Sequence, residues 1–254
     1  MDDRCFQSFM FEAPLNPSYQ IRESKRAKYV NIRVFPNGKV EIVVPINFDH
    51  SQLPSILEQR QAWIDRTVQR IQMERQTLTL EQPEDWPSHL NLRSLDQTWT
   101  ITYKLSSHSD RDRLRVQRIG EQQLGIFGVS DRDLCYEGLR QWLRQYATAN
   151  ITPWVRQLSK EIGLPCQRIS FRGQRTRWGS CSSKKNLSLN YKLLFLPPYL
   201  VRAVLVHELS HTVEMNHSPR FWAQVARHDP DYKQHDAELD TAWRYIPSWI
   251  DANA

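Results

Sequence analysis

Leu200, Val201, Ala203, Val204, Leu205 and Val206 leave a helix almost no polar side, and they run straight into His207-Glu-Leu-Ser-His211. A helix this apolar has to be buried. Two imidazoles four residues apart then point to nearly the same side, about 40° apart around the axis. Buried polar rings need partners, and a single small divalent cation can bridge both nitrogens. Glu208 sits beside them, able to take a proton from a water on that cation. The pattern predicts a zinc-dependent hydrolase with one Zn2+ per chain, His207 and His211 as ligands and Glu208 as general base. The competing reading is a solvated helix face. A chance His-Glu-x-x-His in this composition is on the order of one in a hundred, and the apolar flank opposes a solvated face.

A catalytic zinc takes three protein ligands and keeps one position open. The available third donors are Glu214, His217, His228, His235 and Glu238. Glu214 lies three residues past His211 and extends along the axis instead of closing a tetrahedron. His217 fits better. The helix is expected to end near Asn216, with Ser218 as an N-cap and Pro219 opening a new helix, so His217 sits in a tight turn that can fold back over the metal. His228 and His235 are the alternatives, otherwise ordinary surface or packing histidines. The spacing differs from His-Glu-x-x-His-x-x-Gly-x-x-His of the metzincins.

Four blocks carry a resemblance: Arg175-Thr-Arg-Trp-Gly-Ser-Cys-Ser182, Leu187-Ser-Leu-Asn-Tyr191, His207-Glu-Leu-Ser-His211 and Asn216-His-Ser-Pro-Arg-Phe-Trp222. Together they resemble the YgjP-like metallopeptidases, relatives of the SprT-like and WLM zincins. The N-terminal hairpin and the helix around Trp63-Ile64 are similar to that family's opening segment. The resemblance covers roughly residues 20 to 245 and fits residues 80 to 130 least well. It implies His207, His211 and His217 as zinc ligands and Glu208 as the base, and it brings no defined substrate.

The fold class is read as α+β. An N-terminal β-rich lobe is expected over residues 1–130 and a zincin-like metallohydrolase domain, with a mixed sheet and the active helix, over 131–254. Tyr29 to Val34 and Lys39 to Val44 alternate polar and apolar around Asn37-Gly38, a hairpin signal. Ser51 to Met73 carries a helical stripe of Leu53, Leu57, Ile64, Val68 and Ile71. Short strands are expected over His89–Leu95, Thr98–Lys104, Leu114–Ile119 and Gln123–Phe127, with a loop over 106–113. Residues 131–162 read as one or two helices interrupted near Pro153, with Leu139, Trp142, Leu143 and Tyr146 as a core stripe. Gln167–Gly173 and Leu187–Leu194 read as strands leading to the active helix. C-terminal helices begin at Ser218 and at Asp229-Pro230, and Pro247 stops the last.

The start, Met-Asp-Asp-Arg, shows no basic n-region or apolar h-region, and the apolar run Leu193 to Val206 is too short and too broken to span a bilayer. Four cysteines at 5, 135, 166 and 181 form no Cys-x-x-Cys or disulfide framework, so free thiols in a cytoplasmic setting are expected. Cys181 reads as a buried structural thiol and not a nucleophile.

Net charge is +6, and no acidic residue occurs between Glu161 and Glu208. That interval holds Arg168, Arg172, Arg175, Arg177, Lys184, Lys185, Lys192 and Arg202. A solvated basic face is the ordinary reading of such a cluster. Because the strip leads into the metal helix, it is expected to rim the cleft and attract an anionic substrate: a nucleotide phosphate, nucleic acid near a protein substrate, or an acidic polypeptide segment. Arg175 and Arg177, with Asn190, are the expected substrate-binding residues. Three functions follow. The first is a metallopeptidase, whose substrate strand pairs with the edge of Leu187–Leu194. The second is a metal-dependent nucleotide phosphoanhydride hydrolase. The third is a nucleic-acid-associated protein with a zinc site, which the intact Glu208 disfavours.

Overall fold

The computed structural model describes residues 19–25, 27–35, 38–78, 86–106, 114–129 and 131–251. The expected loop at 106–113 and Asn37 of the hairpin turn lie largely outside these residues. The class is α+β, as expected, with three sheets and five α-helices among the described residues.

The chain divides into two compact units after Leu80. In the first, β2 (Asn31–Val34) and β3 (Val40–Pro45) form the antiparallel hairpin, and Gly38 supplies a left-handed φ of 79° in its turn. A strand the sequence reading did not assign, β1 (Tyr19–Ser24), pairs parallel with the other edge of β3. Val40 to Val44 are therefore central and fully buried. Helix α1 (Leu53–Leu78) places Leu53 against Ile42 and Val44.

The second unit starts at Glu81. Strands β4 (His89–Leu92), β5 (Gln97–Ser106), β6 (Arg115–Gly120) and β7 (Gln123–Val129) form a mixed sheet of order β4-β5-β7-β6. Helix α2 (Arg132–Glu161) covers it, capped by the Asp131 side chain on the Leu134 N–H. The boundary thus falls at residue 80, not at the expected 130. Leu90, Leu92, Trp99, Ile101, Leu124 and Ile126 of the sheet share one core with Leu139, Leu143, Ile151 and Val155 of α2. Each such burial contributes about 1.5–3 kcal/mol, so sheet and helix are one cooperative body.

Pro153 does not interrupt α2. Buried Cys135, Leu139, Leu143, Ala147, Ile151, Val155 and Leu158 keep one unbroken stripe through it. Packing along that stripe outweighs the roughly 3 kcal/mol cost of an interior proline.

After α2, β8 (Ile169–Arg172) and β9 (Leu187–Asn190) pair in parallel. The expected strand over 187–194 ends at Asn190, and residues 191–195 form a 3-10 turn leading to α3 (Pro198–Ser210). The second edge of β9 is occupied. Ser180 and Ser188 exchange backbone hydrogen bonds of 2.9 Å, and the Asn190 N–H donates to the Trp178 carbonyl at 2.8 Å. A substrate strand therefore cannot pair there. Two further helices, α4 (Pro219–His228) and α5 (Tyr232–Thr241), close the unit. No helix among the described residues is long and apolar enough to cross a membrane.

Candidate metal centre and cleft

Helix α3 delivers His207 and His211 at its last turn. It ends at Ser210, six residues before the expected stop, and His211 is its C-cap. The short chain between then turns back, and Ser218 caps α4 by accepting the Phe221 N–H at 3.3 Å, with Pro219 in the first turn. This turn brings His217 onto the other two histidines, as the Ser-Pro signal predicts.

One donor atom from each of His207, His211 and His217 lies within 4.8 Å of the others, a group that could hold a metal ion. The Nε2 atoms of His207 and His217 stand 3.1 Å apart. Two nitrogens about 2.1 Å from one tetrahedral ion stand roughly 3.4 Å apart, so this pair already has a ligand's spacing. The Nδ1–H of His211 donates to the Glu214 carbonyl at 3.0 Å, which fixes the tautomer and leaves Nε2 as its donor atom. Burial, then the neighbouring imidazoles His211 and His217, push the pKa of His207 down to about 4, and burial lowers that of His211. Both rings are neutral at pH 7, as ligands must be.

Phe221, fully buried, is the floor on which all three rings rest, with centroids 4.9, 4.4 and 4.8 Å from those of His207, His211 and His217. Trp222 stacks on His217 and continues into Tyr232 of α5. The sequence reading assigned neither aromatic a role; their place three and four residues past a capping serine was the available signal.

Glu208 is 6% exposed, and its Oε2 is buried with no hydrogen-bond partner among the described residues. Burial pushes its pKa up to about 8, against a smaller opposing pull from Arg177. A buried carboxyl oxygen without a partner costs on the order of 1–3 kcal/mol and demands an explanation. The room it occupies is made by Gly179, another residue missed from sequence, at which a Cβ would meet Oε1 at 2.6 Å.

The profile of the YgjP-like metallopeptidase domain matches residues 28–242. The chain belongs to the YgjP-like family. It is a hydrolase of the metallopeptidase type. A comparison with curated proteins found no match, and neither did one with solved structures.

The remaining third-donor candidates of this YgjP-like protein lie outside the three-histidine group. His228 meets the Gln224 side-chain amide at 3.0 Å, Glu238 accepts from Tyr199 and pairs with Arg244, and His235 bonds Asp229. Glu214 offers its carbonyl to His211.

A cleft of about 300 Å³ opens beside His207 and Glu208. Arg177 lines it; Arg175 and Asn190 do not. Asn190 is fully buried, its Nδ2 donating to the Gln174 and Arg177 carbonyls at 2.9 and 3.0 Å and its Oδ1 accepting the Lys192 N–H. It cannot bind substrate; it holds the segment that carries Arg177.

The basic strip does not rim this cleft. Of its eight members only Arg177 lines it, against Glu208, Asp229, Asp236 and Asp240. Lys192 points inward, 1% exposed, paired with Asp251 and 5.1 Å from the Trp243 ring centroid. Arg202 turns to the His228 carbonyl and Glu161. A run of like charge along the chain says nothing of which side chains share a face. Cys181 is a half-buried free thiol whose pKa burial raises to about 11, which removes it as a nucleophile.

Proposed function

We propose that this protein is a zinc metallopeptidase that holds one zinc ion per chain on His207, His211 and His217 and uses Glu208 as its general base. The observation that carries the reading is the buried, unpartnered Oε2 of Glu208 beside three convergent imidazoles. Three nitrogen donors favour zinc over harder cations, and a structural zinc has no need of a base.

Zinc, when bound, would lower the pKa of a water and polarise the scissile carbonyl. The protein's own part is as follows. Glu208 takes the proton of the attacking water on Oε2. From there it can pass that proton to the leaving amide nitrogen. Phe221 keeps the three rings from turning. Arg177, at the cleft wall, is placed to bind a carbonyl or carboxylate of the polypeptide.

The nucleotide and nucleic-acid readings rest on a positive rim. With Asp229, Asp236 and Asp240 lining the cleft beside one arginine, a phosphate chain would enter against like charge. A polypeptide substrate suits this lining better. Free thiols at Cys135, Cys166 and Cys181 accord with a cytoplasmic setting.

The test is to incubate the zinc-loaded protein with casein, with nucleoside triphosphates and with DNA, each beside Glu208→Gln. Casein is cleaved, no phosphate is released, and Glu208→Gln keeps zinc while losing about 10²–10⁴-fold in turnover. Phosphate release without proteolysis would replace the peptidase reading, and proteolysis that survives the substitution would remove Glu208 from its role.

A further inference from the structure

Asp229 follows the last residue of α4 and is 5% exposed, yet its side chain has one partner among the described residues. The Nδ1–H of His235 donates to its Oδ2 at 2.9 Å. Burying a carboxylate costs several kcal/mol unless it is paired, so this acid exists in the fold to hold that imidazole. His235, on the first turn of α5, lines the same cleft as His207 and Glu208. Its ring lies against Tyr199, 5.5 Å between centroids. With Nδ1 committed, Nε2 is the ring atom left for a ligand, and it has no protein partner among the described residues. The stack from His217 through Trp222 to Tyr232 forms one continuous wall between the metal centre and α5. A histidine that only filled space would need no buried acid behind it.

We propose that His235 is a further catalytic residue, whose Nε2–H donates a hydrogen bond to the negatively charged oxygen formed when water adds to the scissile carbonyl. The inference rests on the peptidase reading above. No bond to His235 is made or broken: the proton of the attacking water goes to Glu208, and His235 ends as it began. Because Nδ1 keeps its own proton for Asp229, Nε2 donates only when the ring carries a second proton. A fixed donor of this kind is stronger in a water-poor cleft than in solvent, and it acts on the transition state, not on the bound substrate.

The experiment uses the full chain loaded with zinc and two probes of one peptide sequence. The first is a phosphonamidate, a tetrahedral anion at the scissile position. The second is the parent peptide, measured in the Glu208→Gln background to prevent turnover. Binding is read by calorimetry for the native protein, His235→Gln and Asp229→Asn, with zinc content and melting temperature recorded for each. His235→Gln should weaken the phosphonamidate by about a hundred-fold while leaving the parent peptide unchanged. Asp229→Asn should weaken the same probe by less, since the ring is still present but loosely held. Unchanged phosphonamidate affinity, or an equal loss for both probes, would overturn the assignment of His235 alone. Failure of the native protein to bind the phosphonamidate together with failure of Glu208→Gln to bind the parent peptide would overturn the peptidase reading and this inference with it.

Discussion

A Cβ on Gly179 would stand 2.6 Å from Oε1 of Glu208 and 2.7 Å from its Cγ. Side chains do not approach that closely, so glycine at this position is what lets the carboxyl lie against the 178–180 backbone. Because β9 holds that backbone through Ser188 and Asn190, it cannot step aside.

Gly179→Ala should therefore displace Glu208 and not merely strain the loop. We expect zinc content to stay at the native level, casein turnover to fall by at least about a hundred-fold, and stability to drop by roughly 1–3 kcal/mol. Elemental analysis, a protease assay and a thermal melt separate the three effects.

The raised pKa of Glu208 has a stability consequence in the metal-free protein. Its pKa in the fold is about 8 against 4.5 for the model carboxyl, so the folded state binds this proton more tightly than the unfolded one. That contribution is complete below pH 4.5 and is lost as pH rises through 8. His207, with its pKa lowered to about 4, acts in the other direction, and its contribution disappears as pH falls from 6.5 toward 4. Between pH 6.5 and 8 the Glu208 slope stands clear of it. Metal-free Glu208→Gln should melt several degrees above the native chain at pH 8, by about 4 kcal/mol, with the gap narrowing toward pH 6.5. Equal melting temperatures across that range would contradict the burial of an unpaired carboxyl.

Phe221 touches all three imidazoles from below. Phe221→Ala should cost about 3–5 kcal/mol as a buried aromatic deletion and weaken zinc binding besides, because the rings lose the surface that orients them. Phe221→Leu should recover most of the stability and less of the affinity. Chemical denaturation and a zinc competition titration read the two separately.

Asn190→Ala leaves the Arg177 carbonyl and the Lys192 N–H without this partner, and the Gln174 carbonyl with only the long 3.4 Å bond from Lys192 Nζ. The expected result is a loss of about 2–4 kcal/mol and a lowered kcat through misplacement of Arg177. Were Asn190 a substrate ligand, KM would rise with stability intact; peptide kinetics beside a denaturant curve decide between these.

The cluster of three histidines was legible because its parts are local. His207 and His211 share one helix turn, and Ser218-Pro219 marks the turn that returns His217. The hairpin around Gly38 was legible for the same reason. What escaped depends on contacts distant in sequence. The domain boundary is set by the packing of Trp99 and Ile126 on α2, which nothing at residue 130 announces. Pro153 sits inside a continuous helix because residues far along the chain bury its stripe. Lys192 and Asn190 point inward because Asp251 and the 174–177 carbonyls satisfy them, facts invisible in a basic run. The pairing of Asp229 with His235 crosses from the end of one helix to the start of the next.

The measurement closest to the central claim is X-ray absorption at the zinc edge of the protein purified with one equivalent of zinc, beside His217→Ala. The account predicts three nitrogens and one oxygen at about 2.0–2.1 Å in the native protein, no sulfur, and one nitrogen fewer with much weaker binding in the variant. A first shell containing sulfur, or one unchanged by His217→Ala, would contradict it.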